Sequence, residues 1–261
     1  MKKFDTRRYP GIGPMAWFTF IFLYLPLLVV IFYSFNSSEI LSRWGGFSLA
    51  WYGEALSRDD IRSALTVSLQ VAVIAMMGSV TLATMAALGL LAMARRGSSA
   101  ALTVIGLPLV IPEIVTAVAT LSFFGLIGLN RGLFTLILAH TAFCIPFAFF
   151  PIRARLSNID VAIFEAGIDL GASKWRLFRR VILPLLFPGI VSGALLAFII
   201  SLDDYIISSF VAGPQSATLP LFLFGLIRRG ASPLINALST LLLLLTFVIL
   251  IVSYLVSNRR R

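Results

Sequence analysis

Long apolar stretches separated by short polar ones run through this 261-residue chain. Most of the stretches reach about 20 residues, the length that a helix needs to cross the hydrocarbon core of a bilayer. The pattern therefore predicts an all-α, polytopic membrane protein whose residues 1–261 form one transmembrane domain. The six predicted spans lie at about residues 15–35, 65–93, 101–129, 133–152, 185–200 and 236–256, with a polar segment at 153–184.

Proline and glycine residues modify this pattern in three places. Pro108 and Pro112 lie four residues apart in the third span and predict a kink, because each removes a backbone hydrogen bond. The freed carbonyls need partners from neighbouring helices or a water-filled path. Gly189 and Gly193 have the spacing of close helix packing, although such a pair also arises by chance. Residues 205–233, broken by Gly and Pro, are expected to be either a re-entrant segment or an outer loop.

Charge is scarce in this chain, and its placement predicts an orientation. Hydrophobic residues make up 59% of the sequence and charged residues only 12%, which excludes an ordinary soluble domain. The net charge of +10 comes from 21 Lys and Arg, of which 15 lie on one side of the predicted membrane. Cytoplasmic loops carry such an excess, so we expect both termini to be cytoplasmic in a bacterial inner membrane, and nucleic acid is not needed to explain the charge. These 15 residues lie in Met1–Pro10, the turn at 95–99, residues 153–184 and Arg259–Arg261.

Three acidic residues lie where the membrane should not tolerate a charge. Glu113 follows Pro112 inside the third span, and an ionised carboxylate there costs about 2.5 to 3.5 kcal/mol. Asp203 and Asp204 end the fifth span and precede Tyr205. We predict that these four residues line a path for a cationic substrate. The alternatives are that Glu113 pairs with an Arg of a neighbouring helix and that the Asp pair is a solvated helix end.

Two lone residues of the fourth span receive plainer interpretations. His140 is expected to be a hydrogen-bonded packing residue, and it is not included in the predicted path. Cys144 lies in an apolar run, where a small buried thiol is the ordinary outcome.

Residues 153–184 predict two helices joined by a tight turn. Asp160 is a plausible cap for the first helix, and Gly171 is well placed to end it in a left-handed conformation. Ser173 can cap the second helix, which Pro184 is expected to separate from the next element. The apolar positions recur at helical spacing in two runs, Val161, Phe164 and Ile168, then Trp175, Phe178 and Ile182.

Residues 153–184, here called the coupling segment, resemble the cytoplasmic coupling motif of ABC importer permeases, a Glu-Ala-Ala triplet followed by Gly and then Ile-x-Leu-Pro. Gly167 departs from it where Ala is usual, and Val181 departs where Ile is usual. The alternative is a surface hairpin without a partner. The matching residues are Glu165, Ala166, Gly171, Leu183 and Pro184. The resemblance implies that a separate ATPase subunit docks on a site that includes Glu165, Ala166, Gly167, Asp169, Gly171, Ala172, Ser173 and Lys174.

The whole chain further resembles the spermidine and putrescine branch of these permeases. The resemblance implies a type I importer fold, polyamine substrates, two ATPase subunits that bind ATP and Mg²⁺, a second related permease and a periplasmic binding protein. No cofactor is expected in this chain itself, and its other partner is the lipid bilayer. The pieces that carry the resemblance are residues 33–36 (YSFN), 112–115 (PEIV), 140–144 (HTAFC), 201–204 (SLDD), 209–214 (SFVAGP) and 232–237 (SPLINA).

Catalytic motifs are absent from the sequence. None of its three lysines follows a glycine, so it has no phosphate-binding Gly-Lys loop, and one His with one Cys cannot form a typical structural zinc site. We therefore expect a permease subunit and not an enzyme. A permease for another small cationic or amino-acid-derived solute is the nearest alternative, and an ATP-independent channel or scaffold subunit is the alternative from another class.

Overall fold

The structure, a computed structural model, describes residues 12–40, 43–91, 93–230 and 232–258. Over these residues the chain is helical apart from turns, loops and one isolated β-bridge between Asn36 and Phe47. The basic tails predicted at Met1–Pro10 and Arg259–Arg261 lie outside the described residues. The helices are α1 (Ile12–Tyr33), α2 (Ala50–Ser57), α3 (Asp59–Leu91), α4 (Arg95–Val110), α5 (Glu113–Leu126), α6 (Leu133–Ser157), α7 (Val161–Asp169), α8 (Lys174–Leu177), α9 (Leu183–Asp203), α10 (Ile206–Val211), α11 (Leu219–Arg229) and α12 (Pro233–Asn258).

The apolar stretches form helices of membrane-spanning length, which confirms the predicted all-α membrane class. Five stretches of the described chain are long and apolar enough to cross a bilayer, and a sixth is obtained if α4 and α5 form one bent span. The helices extend beyond several predicted bounds; α6, for example, continues to Ser157. The five unbroken stretches are residues 13–33, 59–91, 133–157, 174–203 and 233–251.

The kink predicted in the third span is a complete break. Helices α4 and α5 meet at 107° across Ile111 and Pro112. Pro112 has no N–H to donate to the Pro108 carbonyl, and its ring holds Ile111 in an extended conformation with ψ of 131°. Helix α5 then starts at Glu113, where a negative charge is favourable at a helix N-terminus.

A new α-helix, α9, begins at Leu183, one residue before the boundary predicted at Pro184, although the chain stays helical from Lys174 to Asp203. A π-helical turn, Phe178–Ile182, joins α8 to α9. In this turn the Leu183 N–H donates to the Phe178 carbonyl, five residues back. The wider turn accommodates a proline that has no N–H for the α-helical ladder, so the helix continues through it.

The described residues group into two compact units. One contains the residues up to Arg58 together with Leu223–Phe247, and the other contains Asp59–Phe222 and the residues from Val248 onward. In the larger unit α3, α6 and α9 pack against one another, and α10 packs against α5 and α6. The core of this bundle includes small residues and a few large ones, among them Ala83, Cys144, Ala148, Phe149, Ile152 and Leu186.

The close-packing interpretation of Gly189 and Gly193 is supported by the way α9 meets α6. A Cβ atom added to Gly193 would lie 2.6 Å from the Ala148 carbonyl oxygen, and one added to Gly189 would lie 3.1 Å from the Pro151 carbonyl oxygen. These contacts are with backbone atoms, which cannot move aside as a side chain can. Two glycines one turn apart thus let the helices approach closely.

The smaller unit contains a loop after α1, whose described residues are held together by the buried Asn36 side chain. Its amide donates to the Arg43 carbonyl at 2.7 Å, and its oxygen accepts the N–H groups of Gly45 at 2.8 Å and Ser38 at 3.2 Å. The Trp51 indole N–H donates to the Asn36 carbonyl at 2.8 Å. These bonds fold the loop back on itself before α2 begins.

Candidate functional site

The turn between α9 and α10 is built around the Asp204 carboxylate. Its Oδ1 accepts the Ile207 N–H at 3.2 Å, and its Oδ2 accepts both the N–H and the hydroxyl of Ser208 at 2.9 Å. Asp204 is extended, with ψ of 125°, so the chain leaves α9 and its side chain can reach the start of α10. Asp204 is only 7% exposed, and these bonds offset the cost of burying its charge.

Glu113 meets Asp204 where α5 packs against α10. The two carboxyl groups are within hydrogen-bonding reach of each other. Two carboxyls can form such a bond only when one of them carries a proton. Glu113 is half-buried, at the first position after the break in the third span. The partner that the structure gives Glu113 is thus an acid, and not the arginine that the alternative interpretation required.

Neighbouring Asp203 and Tyr205 have surroundings that differ from those of Asp204. Asp203 is exposed at the last turn of α9, whereas Tyr205 is half-buried just before α10. Asp204 is buried, so it does not fit the alternative interpretation of a solvated helix end. Of the two aspartates, only Asp203 fits that interpretation. The structure therefore brings Glu113 and Asp204 together, and it places Asp203 and Tyr205 on either side of Asp204 in the chain. Glu113, Asp203 and Asp204 are called the acidic cluster below.

His140 of α6 adjoins the acidic cluster, although the sequence reasoning left it out. Its Nδ1 lies 2.8 Å from the Ser201 hydroxyl, and its Nε2 lies 3.1 Å from the Ser208 hydroxyl and 3.3 Å from Asp204 Oδ2. The prediction that His140 is a hydrogen-bonded residue is confirmed, but its partners include a carboxylate. The signal in the sequence was an ionisable side chain in the middle of an apolar span.

The coupling segment forms the helix, turn and helix that its sequence predicts. Asp160 accepts the Ala162 N–H at 3.0 Å, and Ser173 accepts the Arg176 N–H at 3.4 Å, so each helix has its expected cap. Gly171 has φ of 72°, the left-handed conformation expected at the end of α7. The Gly171 N–H and the Ala172 N–H close the turn by donating to carbonyls of α7.

One face of the coupling segment packs on the protein and the other exposes large apolar side chains. Phe164 and Ile182 contact the core of the larger unit. In contrast, Leu170 is 87% exposed and Trp175 is 67% exposed. Apolar side chains this exposed in a polar, basic segment are typical of a docking surface. The segment thus has the form that the coupling motif implies, while its function stays a prediction.

Gly167, which stands where the motif usually has Ala, faces the second short helix. A Cβ atom added there would lie 2.5 Å from Cδ1 of Leu177, which is buried on α8. Gly167 therefore lets α7 lie close to α8. The other predicted residues of this site, Glu165, Ala166, Asp169 and Lys174, lie on the same short helices.

These features together define a helical membrane protein with a broken span, an acidic cluster beside the break and a helical segment that exposes large apolar side chains. The chain belongs to the family described as the inner membrane component of binding-protein-dependent transport systems, which it matches over residues 79–261. It is therefore a multi-pass membrane component of such a transport system. The family resemblance drawn from the motifs is confirmed, as is the expectation of a permease subunit and not an enzyme.

Two relatives from Escherichia coli K12 illustrate the similarity. The putrescine transport system permease protein PotI is 42% identical over 231 residues, which cover 86% of this chain and 82% of that protein. The spermidine/putrescine transport system permease protein PotC is 36% identical over 239 residues, which cover 92% and 90%. The chain is thus matched along most of its length by permeases of polyamine transport systems.

Solved structures share the fold at lower identity. A bacterial ABC transporter involved in the import of the acidic polysaccharide alginate aligns with a TM-score of 0.75 and 17% identity, covering 98% of this chain and 96% of that one. The MetNI methionine ABC transporter aligns with a TM-score of 0.64 and 19% identity, covering 77% and 98%. The ABC importer permease fold is therefore shown, and these neighbours carry no information on the substrate.

Proposed function

We propose that this chain is one of two related membrane subunits of an ATP-driven importer of polyamines, putrescine or spermidine. A periplasmic binding protein delivers the substrate, and two ATPase subunits bind ATP and Mg²⁺ and supply the energy. The observation that carries the substrate class is the acidic cluster beside the break in the third span. Similarity to PotI and PotC supports the same conclusion.

Polyamines carry ammonium groups separated by apolar methylene chains, and the surroundings of the acidic cluster suit both parts. A carboxylate is the natural partner of an ammonium group, and the bond between them strengthens away from bulk water. Beside Glu113, helix α5 exposes Ile114, Val115 and Val118, which can contact methylene groups. In this proposal Glu113, Asp203, Asp204 and Tyr205 line the translocation path.

The coupling segment transmits the ATPase cycle to the path. Its exposed Leu170 and Trp175 would enter a groove of an ATPase subunit, and Glu165 to Lys174 would form the docking site. The helix continues without interruption from Lys174 to Asp203, beside Asp204 of the acidic cluster. A movement at the coupling segment can therefore be carried along one continuous helical stretch to the substrate site.

This arrangement requires the coupling segment and both termini to be cytoplasmic. This orientation is measured by labelling single introduced cysteines with a membrane-impermeant maleimide in intact cells. The native Cys144 is buried and should give an unreactive background. A cysteine at the exposed position of Ser57 should react, whereas one at the exposed position of Ser99 should react only after the cells are opened. The reverse pattern would contradict the orientation.

The substrate is tested by ATP hydrolysis of the reconstituted complex in the presence of its binding protein. We expect putrescine or spermidine to stimulate hydrolysis and a neutral amino acid to have no effect. Stimulation should be lost in Glu165→Ala and kept in Glu54→Gln, a control at a half-buried carboxylate of α2. If another solute stimulates and no polyamine does, the substrate class is wrong. If hydrolysis does not respond to Glu165→Ala, the coupling site is wrong.

A further inference from the structure

His140 occupies a position that transport of a cation does not by itself explain. It is 1% exposed in the middle of α6, and both ring nitrogens have oxygen partners. Its Nδ1 side faces Ser201 of α9, while its Nε2 side faces Ser208 of α10 and the Asp204 carboxylate. One ring therefore joins α6 to both helices that flank the Asp204 turn.

The order of donors along this chain of bonds can be derived. The Ser208 hydroxyl donates its only hydrogen to Asp204 Oδ2 at 2.9 Å. It can then only accept from His140, so the Nε2 atom, 3.1 Å away, must be the donor. The imidazole thus holds the Ser208 hydroxyl in the rotamer that points at the carboxylate. His140 Nε2 also lies 3.3 Å from Asp204 Oδ2 itself.

The bonds to Asp204 leave it little capacity for a substrate. A carboxylate has about four acceptor sites. Three are taken by the Ile207 N–H, the Ser208 N–H and the Ser208 hydroxyl, and both His140 Nε2 and Glu113 lie within reach of what remains. Glu113 is more exposed than Asp204, and it accepts none of the three hydrogen bonds that Ile207 and Ser208 donate in the turn. The two acids of this pair thus have different surroundings.

We infer that His140 is a positioning residue, which acts through Ser208 to fix the Asp204 carboxylate. The fixed Asp204 carboxylate in turn orients Glu113 towards the substrate. Asp204 is accordingly the support and Glu113 the carboxyl that contacts the ammonium group. This inference rests on the proposed function, since it needs a cationic substrate. It adds a role for His140 and Ser208 and divides the roles of Glu113 and Asp204.

Two amide variants of His140 separate its two sides. A glutamine places its amide nitrogen near the position of Nε2 and can still donate towards Ser208 and Asp204. An asparagine reaches only the position of Nδ1, near Ser201. Both residues are polar and uncharged, so a general loss of packing should affect the two alike.

The measurement is the number of putrescine molecules moved per ATP hydrolysed by the complete transporter in proteoliposomes, with loaded binding protein at saturation. We expect His140→Gln to stay near the wild type, whereas His140→Asn lowers this ratio about tenfold, as loss of one hydrogen bond to a charged group predicts. Stimulated ATP hydrolysis should be nearly equal in all three proteins. A purely structural role would reduce hydrolysis and transport together.

Ser208→Ala is the second variant, because it removes only the hydroxyl between His140 and Asp204. It should lower the number of putrescine molecules moved per ATP as His140→Asn does. Because this substitution changes the side-chain volume little, it can still be measured if the His140 variants do not assemble. Equal ratios for the two His140 variants, or a wild-type ratio for Ser208→Ala, would overturn the inference and leave the proposed function intact. A wild-type complex that moves no polyamine would instead overturn the proposed function, and the inference with it.

Discussion

Replacement of Gly193 by alanine tests the close approach of α6 and α9, on which the geometry of the acidic cluster depends. The added Cβ atom would lie 2.6 Å from the Ala148 carbonyl oxygen and 3.1 Å from the Ala148 Cα. Ordinary van der Waals contact begins at 3.4 Å, so the helices must separate by about 0.8 Å, the difference between 2.6 and 3.4 Å. Overpacking of this kind costs about 1 to 3 kcal/mol.

The matched control is Gly89→Ala, because a Cβ atom added to Gly89 on α3 meets nothing within 4 Å. Both changes gain the same helix propensity, about 1 kcal/mol, so the difference between the variants isolates the steric cost. Thermal melting of the purified protein in detergent measures it. We expect Gly193→Ala to melt below Gly89→Ala by about 2 to 12 °C. Equal melting temperatures would refute the close packing of α6 and α9.

Two further changes test local conformations. Gly171→Ala places a side chain at φ of 72° and should cost about 1 to 2 kcal/mol, whereas Gly171→Asn should be tolerated better. Substrate-stimulated ATP hydrolysis should therefore fall more in the Ala variant than in the Asn variant. Equal rates of hydrolysis in the two variants would contradict a left-handed turn. Asn36→Ala leaves the Gly45 and Ser38 N–H groups without their acceptor, at about 1 to 3 kcal/mol each, and should speed proteolysis of the loop after α1. Glu39→Ala, at an exposed position of the same loop, serves as its control, and equal cleavage of the two variants would contradict the role of Asn36.

Local signals predicted much of the helical structure. Hydropathy located the spans because a bilayer demands a long apolar helix wherever the chain crosses it. The caps at Asp160 and Ser173 and the left-handed Gly171 were predictable because each depends on the backbone of its own neighbours. Pro184 marks the start of α9 as predicted, but the π turn before it was not foreseen, since a π turn can absorb a missing N–H and the sequence gives no local sign of that turn.

The acidic cluster was predictable in part only. The cost of charge in an apolar span singled out Glu113, Asp203 and Asp204 without reference to any partner. The sequence could not separate the exposed Asp203 from the buried Asp204, because adjacent residues at a helix end point in different directions. His140 was missed as a member of this site because Ser201 and Ser208 lie 61 and 68 residues further along the chain.

ATP-driven uptake of radiolabelled putrescine and spermidine into proteoliposomes that contain the complete transporter tests the central claim most directly. The account predicts accumulation of at least one polyamine by the wild type and by Glu54→Gln. Uptake should be at least about tenfold slower in Glu113→Gln, which keeps the shape of the side chain but cannot ionise to pair with an ammonium group. Exclusion of both polyamines by the wild type, or uptake at the wild-type rate by Glu113→Gln, would contradict it.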